Sequence, residues 1–281
     1  MMPLEVLLIV LLAALLHASW NALIRASSHN LQDTCLLVVG AAFWTLFLIP
    51  FLPLPQSESW NYLALSVVLH VIYFVLLAVC YRFGQLSFSY PMMRGIAPVI
   101  TALAMALLYG ESPSVGAWLG IGCICGGIVL LSGDAWRAKS LDWATVGPVL
   151  ATAAIIVCYT LVDGHGVRLA GHALAYTSWL FLLTAAVFIV LSALLGRIAS
   201  WRRTRIQWAR GLVGGACSLA SYGLVLWAMM RAPIALVAAL RETSVVIAAI
   251  IAVCCLGERL TWLRVLSICT VTAGAVVIKI I

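Results

Sequence analysis

The chain has 281 residues, of which 65% are hydrophobic and 9% charged, and its mean hydropathy is +1.15. Soluble domains carry roughly 45–50% apolar residues, so a soluble enzyme or binding module is excluded and a bilayer is the medium. The net charge of +7 does not point to nucleic acid, because the basic residues are scattered singly apart from Arg197, Arg202, Arg203, Arg205 and Arg210.

Runs of about 20 apolar residues suffice to cross a hydrocarbon core of roughly 30 Å as helices. Ten are predicted, at 4–24, 34–53, 61–81, 86–109, 114–132, 143–163, 173–195, 209–230, 233–256 and 261–280. None alternates polar with apolar residues as a barrel strand would. The predicted fold is an all-α integral membrane protein of ten transmembrane helices. Met1-Met2-Pro3-Leu4-Glu5 lacks the positive start of a cleavable signal peptide, so the first span is expected to stay. The nine cysteines form no C-x-x-C pair and read as small apolar packing residues, not as metal or disulfide positions.

Span 1 contains His17-Ala18-Ser19-Trp20-Asn21, where His17 and Asn21 share a face at spacing four and Trp20 lies beside them. A polar face this deep should look into the bundle, with His17 as a structural donor or a proton relay. Span 4 contains Arg94 between Pro91 and Pro98, two residues that remove helix donors and are expected to kink the span. Tyr90, one turn earlier, and Tyr222 in span 8 could supply hydroxyls or aromatic walls. Span 6 contributes Tyr159 and Asp163, again four apart, and Gly164-His165-Gly166 is expected to end the helix there, leaving Asp163 as a cap or a pathway residue. Span 9 carries Arg241 and Glu242. In span 5, Gly116 and Gly120, and Gly122 and Gly126, lie four apart, as do Gly211 and Gly215 in span 8, a spacing that permits close helix contact. Spans 5 and 10 are expected to support the bundle without lining a path.

Arg94 and Arg241 are separated by 147 residues, and the same offset brings Val99-Ile100 onto Val246-Ile247, Gly110-Glu111 onto Gly257-Glu258 and Gly127 onto Gly274 without a gap. The chain therefore reads as a duplication, 1–138 and 139–281, with five spans in each half. Five is odd, so the second copy is inverted, an arrangement whose substrate sites lie near the midplane between the halves. Charge within a bilayer is costly and is normally kept for a task. Each arginine either snorkels to its nearer interface, or pairs structurally with a carboxylate such as Glu242, or captures a carboxylate, phosphate or phosphonate. Glu242 would then hold a substrate amine, take a proton or neutralise an arginine.

On the side opposite the termini the loops carry Arg25, Arg82, Arg137, Lys139, Arg197, Arg202, Arg203, Arg205, Arg210, Arg259 and Arg264, against Arg168, Arg231 and Lys279 on the terminal side. The positive-inside rule puts both termini outside the cytoplasm. Trp201 and Trp208 flank the basic loop, as expected at headgroup level.

The helix 1 stretch His17 to Asn21, the two five-helix copies, and the Gly-Glu pairs at Gly110-Glu111 and Gly257-Glu258-Arg259-Leu260 together resemble the drug/metabolite transporter superfamily, in its ten-helix EamA-type branch. The resemblance covers the whole chain. It implies a secondary transporter working by alternating access, with a cavity formed mainly by helices 1, 3, 4, 6, 8 and 9. Small multidrug members use a mid-helix glutamate in helix 1, whereas this helix has only Glu5 near its end, which disfavours cationic drugs. Many relatives keep both termini in the cytoplasm, contrary to the charge count.

The reading that follows is a non-enzymatic carrier in the bacterial inner membrane, for a small anionic or zwitterionic metabolite such as an amino acid, a carboxylate, or a phosphate or phosphonate compound. Its expected site is Arg94, Arg241, Glu242, His17, Trp20, Asn21, Tyr90, Tyr159, Asp163 and Tyr222. The lipid bilayer and a small-molecule substrate are its expected partners, with a coupling proton and a homodimer both left open. No cofactor, metal or nucleic acid is called for. The alternative is a membrane enzyme or accessory protein acting on a lipid-linked phosphate, with the basic loop holding headgroups, although no nucleophile, acid pair or metal set is clustered for it.

Overall fold

A computed structural model describes residues 2–25, 30–83, 86–131, 133, 143–194, 204–256 and 261–280. The described residues form eleven α-helices: α1 (Leu4–Arg25), α2 (Asn30–Leu48), α3 (Trp60–Phe83), α4 (Leu86–Tyr109), α5 (Val115–Leu130), α6 (Trp143–Ala170), α7 (Ala173–Leu194), α8 (Arg205–Met229), α9 (Ile234–Arg241), α10 (Thr243–Leu256) and α11 (Trp262–Ile280). In hydrocarbon every backbone N–H and C=O must be satisfied within the segment, and helices do this. Eight helical stretches are long and apolar enough to cross a membrane, and Leu36–Phe51 and Val115–Leu130 are shorter apolar ones. With α9 and α10 taken as one span, the fold is an all-α membrane bundle of ten spans in two inverted five-helix repeats.

The packing obeys the repeat. Helix α1 lies on α8 while its counterpart α6 lies on α3, and α4 packs on α6 as α9 and α10 pack on α1. The pairs α5 with α11 and α2 with α7 join equivalent elements across the pseudo-symmetry axis. The Nζ of Lys279 donates to the carbonyl of Met2 at 2.9 Å, so both termini lie on one face.

Three local expectations are corrected. Span 6 does not end at Gly164-His165-Gly166. Helix α6 continues to Ala170 and stops at Gly171, whose φ of 74° is open to glycine. Gly164 and Gly166 stay helical because other helices press on them: a Cβ at Gly164 would lie 2.6 Å from Ile234 Cδ1, and one at Gly166 would lie 2.5 Å from the Tyr176 hydroxyl. Second, α4 stays helical through Pro91 and Pro98, while span 9, for which no interruption was expected, is divided. There the Glu242 N–H bonds Ala239 O at 3.1 Å and the Val245 N–H bonds Glu242 O at 3.0 Å, a tight turn between α9 and α10. Third, Gly122 and Gly126 face open space. The close face of α5 is Gly120, Ile124 and Gly127, at spacings of four and three, with Gly120 against Gly274 O and Gly127 against Ser267 O of α11. Gly211 and Gly215 do meet α2, at Leu36 and Gly40.

Gly110 takes a φ of 67°, and the Glu111 N–H returns to Met105 O at 3.2 Å. This glycine-capped end of α4 explains the Gly-Glu pair: the glycine reverses the chain and delivers the carboxylate to the terminal face. Gly257-Glu258 lies outside the described residues, as do Arg137, Lys139, Arg197, Trp201, Arg202, Arg203 and Arg259 and the side chains of Arg25 and Arg82.

Candidate functional site

A cavity of about 100 Å³ opens between the two halves, lined by residues of α1, α2, α3, α4, α6, α7, α8 and α9. Helices α2 and α7 thus add Leu37, Val38, Leu180, Phe181 and Thr184 to the six helices implied by resemblance. Helices α5 and α11 contribute nothing to the lining.

Seven of the ten expected residues line this one space: His17, Trp20, Asn21, Arg94, Tyr159, Tyr222 and Arg241. Glu242 and Asp163 sit behind its wall, 1% and 0% exposed. Tyr90 lies on α4, and its side chain is outside the described residues.

The two arginines converge on one carboxylate. Arg94 Nε stands 2.6 Å from Glu242 Oε2, and Arg241 Nη2 stands 3.3 Å from Glu242 Oε1. The closer contact is an ion pair without the alignment of a hydrogen bond. Arg94 Nη2 also reaches His17 Nε2 at 3.4 Å, and the Tyr159 hydroxyl is a further partner of Arg241. The arginines are 3% and 4% exposed, so the glutamate between them is what makes two buried guanidiniums tolerable. The turn that ends α9 is what brings Glu242 there. At the equivalent place in the first repeat stands Gly95, where a Cβ would meet Val129 of α5 at 2.9 Å.

Asp163 has different company. Its Oδ1 accepts from the Tyr176 hydroxyl at 3.0 Å and its Oδ2 from the Tyr222 hydroxyl. Ser66 of α3 supplies another hydroxyl contact to the carboxylate. His70 lies one turn on from Ser66, its Nδ1 donating to Ser66 O at 2.9 Å, and its ring centroid lies 4.6 Å from that of Tyr159 and 5.7 Å from that of Tyr222. Aromatic rings and guanidiniums thus meet in the lining, where Tyr159 touches both His70 and Arg241. Trp20, edge-on to His17 at 4.9 Å, keeps a buried indole N–H without an acceptor among the described residues, and Thr184 a hydroxyl in the same condition. Asn21 gives its amide to His17 O at 2.8 Å.

Sequence reasoning missed His70, Ser66, Tyr73, Tyr176 and Thr184. His70 and Ser66 carried the same signal as His17 and Asn21, a polar pair at spacing four inside an apolar span. The tyrosines and the threonine carried no signal beyond their type.

On the terminal face a hollow of about 580 Å³ is lined by residues including Met2, Pro3, Glu111, Arg168, Arg231 and Ile278. Arg168 closes over it from the last turn of α6, donating to Met229 O at 2.9 Å and Ala232 O at 3.2 Å and pairing with Glu111 at 3.3 Å. Along α6 the order Tyr159, Asp163, Gly164, Gly166, Arg168 leads from the cavity to this hollow. Between the two, Ile234 packs on Gly164 and Tyr176 on Gly166.

No curated protein matches the chain. A solved crystal structure shares its fold with a TM-score of 0.76, over 98% of this chain and 96% of that one, at 17% sequence identity. The model of the EamA-like transporter family matches twice, over residues 4–133 and 144–280. With nearly its whole length matched by two copies of that model, and a cavity enclosed between the copies, the chain belongs to the EamA-like transporter family, whose members carry solutes across membranes.

Proposed function

We propose that this transporter carries a small anionic or zwitterionic metabolite, an amino acid, a carboxylate, or a phosphate or phosphonate compound, across the cytoplasmic membrane of a bacterium. The observation that carries the reading is that Arg94 and Arg241, one from each half, line the same cavity while Glu242 holds them from behind. Guanidinium donors suit bidentate capture of an acid group, and the buried Trp20 N–H and Thr184 hydroxyl add donors in need of an acceptor. A cavity of about 100 Å³ suits a metabolite better than a drug-sized solute, whose sites run to roughly 300–1,000 Å³.

Alternating access follows from the repeat. Residues 1–138 rock against 139–281, and the site is exposed to one face and then the other. In this conformation the terminal side is filled by Ile234, Tyr176 and the Arg168 contacts, and Leu37, Val38, Phe74 and Leu77 line the cavity toward the opposite side. The charge of the loops makes that opposite side cytoplasmic.

Uptake of labelled amino acids, carboxylates and phosphate compounds into liposomes holding the purified protein tests the reading. Saturable uptake of one class is expected, abolished by Arg94→Ala and by Arg241→Ala. Normal uptake by both variants overturns the site.

A further inference from the structure

The two carboxylates behind the cavity wall are not equivalent, and the difference decides which of them can take a proton. Glu242 lies between two guanidiniums. Protonating it would neutralise the carboxylate that two buried guanidiniums share, a cost of several kcal/mol in a low-dielectric interior. Asp163 touches no guanidinium among the described residues. The groups facing it are hydroxyls: Tyr176 from α7, Tyr222 from α8 and Ser66 from α3, with the ring of His70 beyond Ser66. On its own helix the nearest titratable neighbours are Tyr159 toward the cavity and His165 toward the terminal face; α9 packs Ile234 on the neighbouring Gly164, and its Arg241 lines the cavity beside Tyr222. Adding a proton to Asp163 therefore yields a neutral acid among polar hydroxyls, with no guanidinium in contact among the described residues.

We propose that Asp163 is the proton-binding site of this carrier, and that the proton unlatches the terminal face. The inference rests on the transport reading above and supplies its coupling ion. The proton arrives at Oδ2, because Tyr222 lines the cavity while Tyr176 is fully buried. As a carboxylate, Asp163 accepts from both tyrosines at once and so ties α7 and α8 to α6. Once protonated, Oδ2 becomes a donor, the Tyr222 hydroxyl that donated to it must turn its hydrogen away and accept instead, and charge-assisted bonds become neutral ones of roughly half the strength. The tie lies within one turn of Gly164 and Gly166, where Ile234 and Tyr176 fill the path to the terminal hollow. Loosening α7 and α8 there relaxes that filling. Tyr222 faces substrate on one side and Asp163 on the other, which lets cavity occupancy and protonation influence one another.

The test needs no substrate, so its failure is separable from failure of the transport reading, which the uptake assay decides. The carboxylic C=O stretch is followed by infrared difference spectroscopy as pH is lowered, on the purified full chain in lipid. A band of a buried carboxyl that appears reversibly on acidification is expected, lost in Asp163→Asn and moved in frequency in Asp163→Glu. Hydrogen exchange read by mass spectrometry at one fixed pH adds the second arm. Asp163→Asn, which imitates the protonated acid, should exchange faster than the parent over the start of α7 and over residues 230–236. The absence of a titrating band in the parent, its survival in Asp163→Asn, or unchanged exchange in that variant each overturns the proposal. Should Asp163→Asn not fold, the frequency shift in Asp163→Glu still decides.

Discussion

Arg94 Nε and Glu242 Oε2 stand 2.6 Å apart across the boundary between the two repeats, each side chain 3% exposed or less. Removing one partner of a buried ion pair leaves an uncompensated charge and costs about 3–5 kcal/mol. Glu242 serves two arginines, so Glu242→Gln is expected to reach the upper part of that range. Thermal unfolding in detergent checks it, with Glu242→Asp as a milder variant that keeps the charge but draws it back by one methylene.

The contact of α2 with α8 depends on Gly40 and Gly215. The carbonyl of Gly211 lies where a Cβ on Gly40 would stand, and the Ala41 N–H lies where one on Gly215 would. Gly40→Ala and Gly215→Ala should each cost about 1–3 kcal/mol through overpacking. Gly122→Ala and Gly126→Ala meet nothing within 4 Å and are expected to be neutral. Melting curves of the four variants measure the contrast.

Glu111 and Arg168 are 42% and 30% exposed, and an exposed pair of this kind contributes up to about 1 kcal/mol. Glu111→Gln is therefore expected to leave the melting temperature nearly unchanged. Its effect should appear instead in hydrogen exchange, as faster exchange over residues 110–114 and 230–233, where Arg168 ties two loops from different repeats.

Tyr176 and Tyr222 donate to the same carboxylate, but only Tyr222 lines the cavity. Each phenylalanine variant should lose about 1–3 kcal/mol by leaving a buried acceptor short of a donor. Uptake should fall further for Tyr222→Phe than for Tyr176→Phe. Equal losses of uptake would mean that the hydroxyl toward the cavity has no special part.

The arginine pair, the repeat and the ten spans were legible because charge in an apolar run and a fixed offset are properties of the sequence itself. The partner of Arg94 was not, since Glu242 lies 148 positions away and meets it only when the halves close. The end of α6 was misplaced for a related reason. Glycines at 164 and 166 look like a local stop, yet they are the sites where Ile234 and Tyr176 come nearest, and nothing local announces that contact. The interruption of span 9 was not legible either: Pro91 and Pro98 drew attention to α4, whereas the turn at Glu242 lies between α9 and α10, which contain no proline. His70 was overlooked although its spacing from Ser66 repeats that of Asn21 from His17.

Glu242 and Gly95 occupy corresponding places in the two copies, and the chain tolerates no exchange between them. A carboxylate at 95 would collide with α5, and without one at 242 the two guanidiniums would lose the carboxylate they share. A carrier rebuilt from two copies of the first half would lack it, and should fail to close.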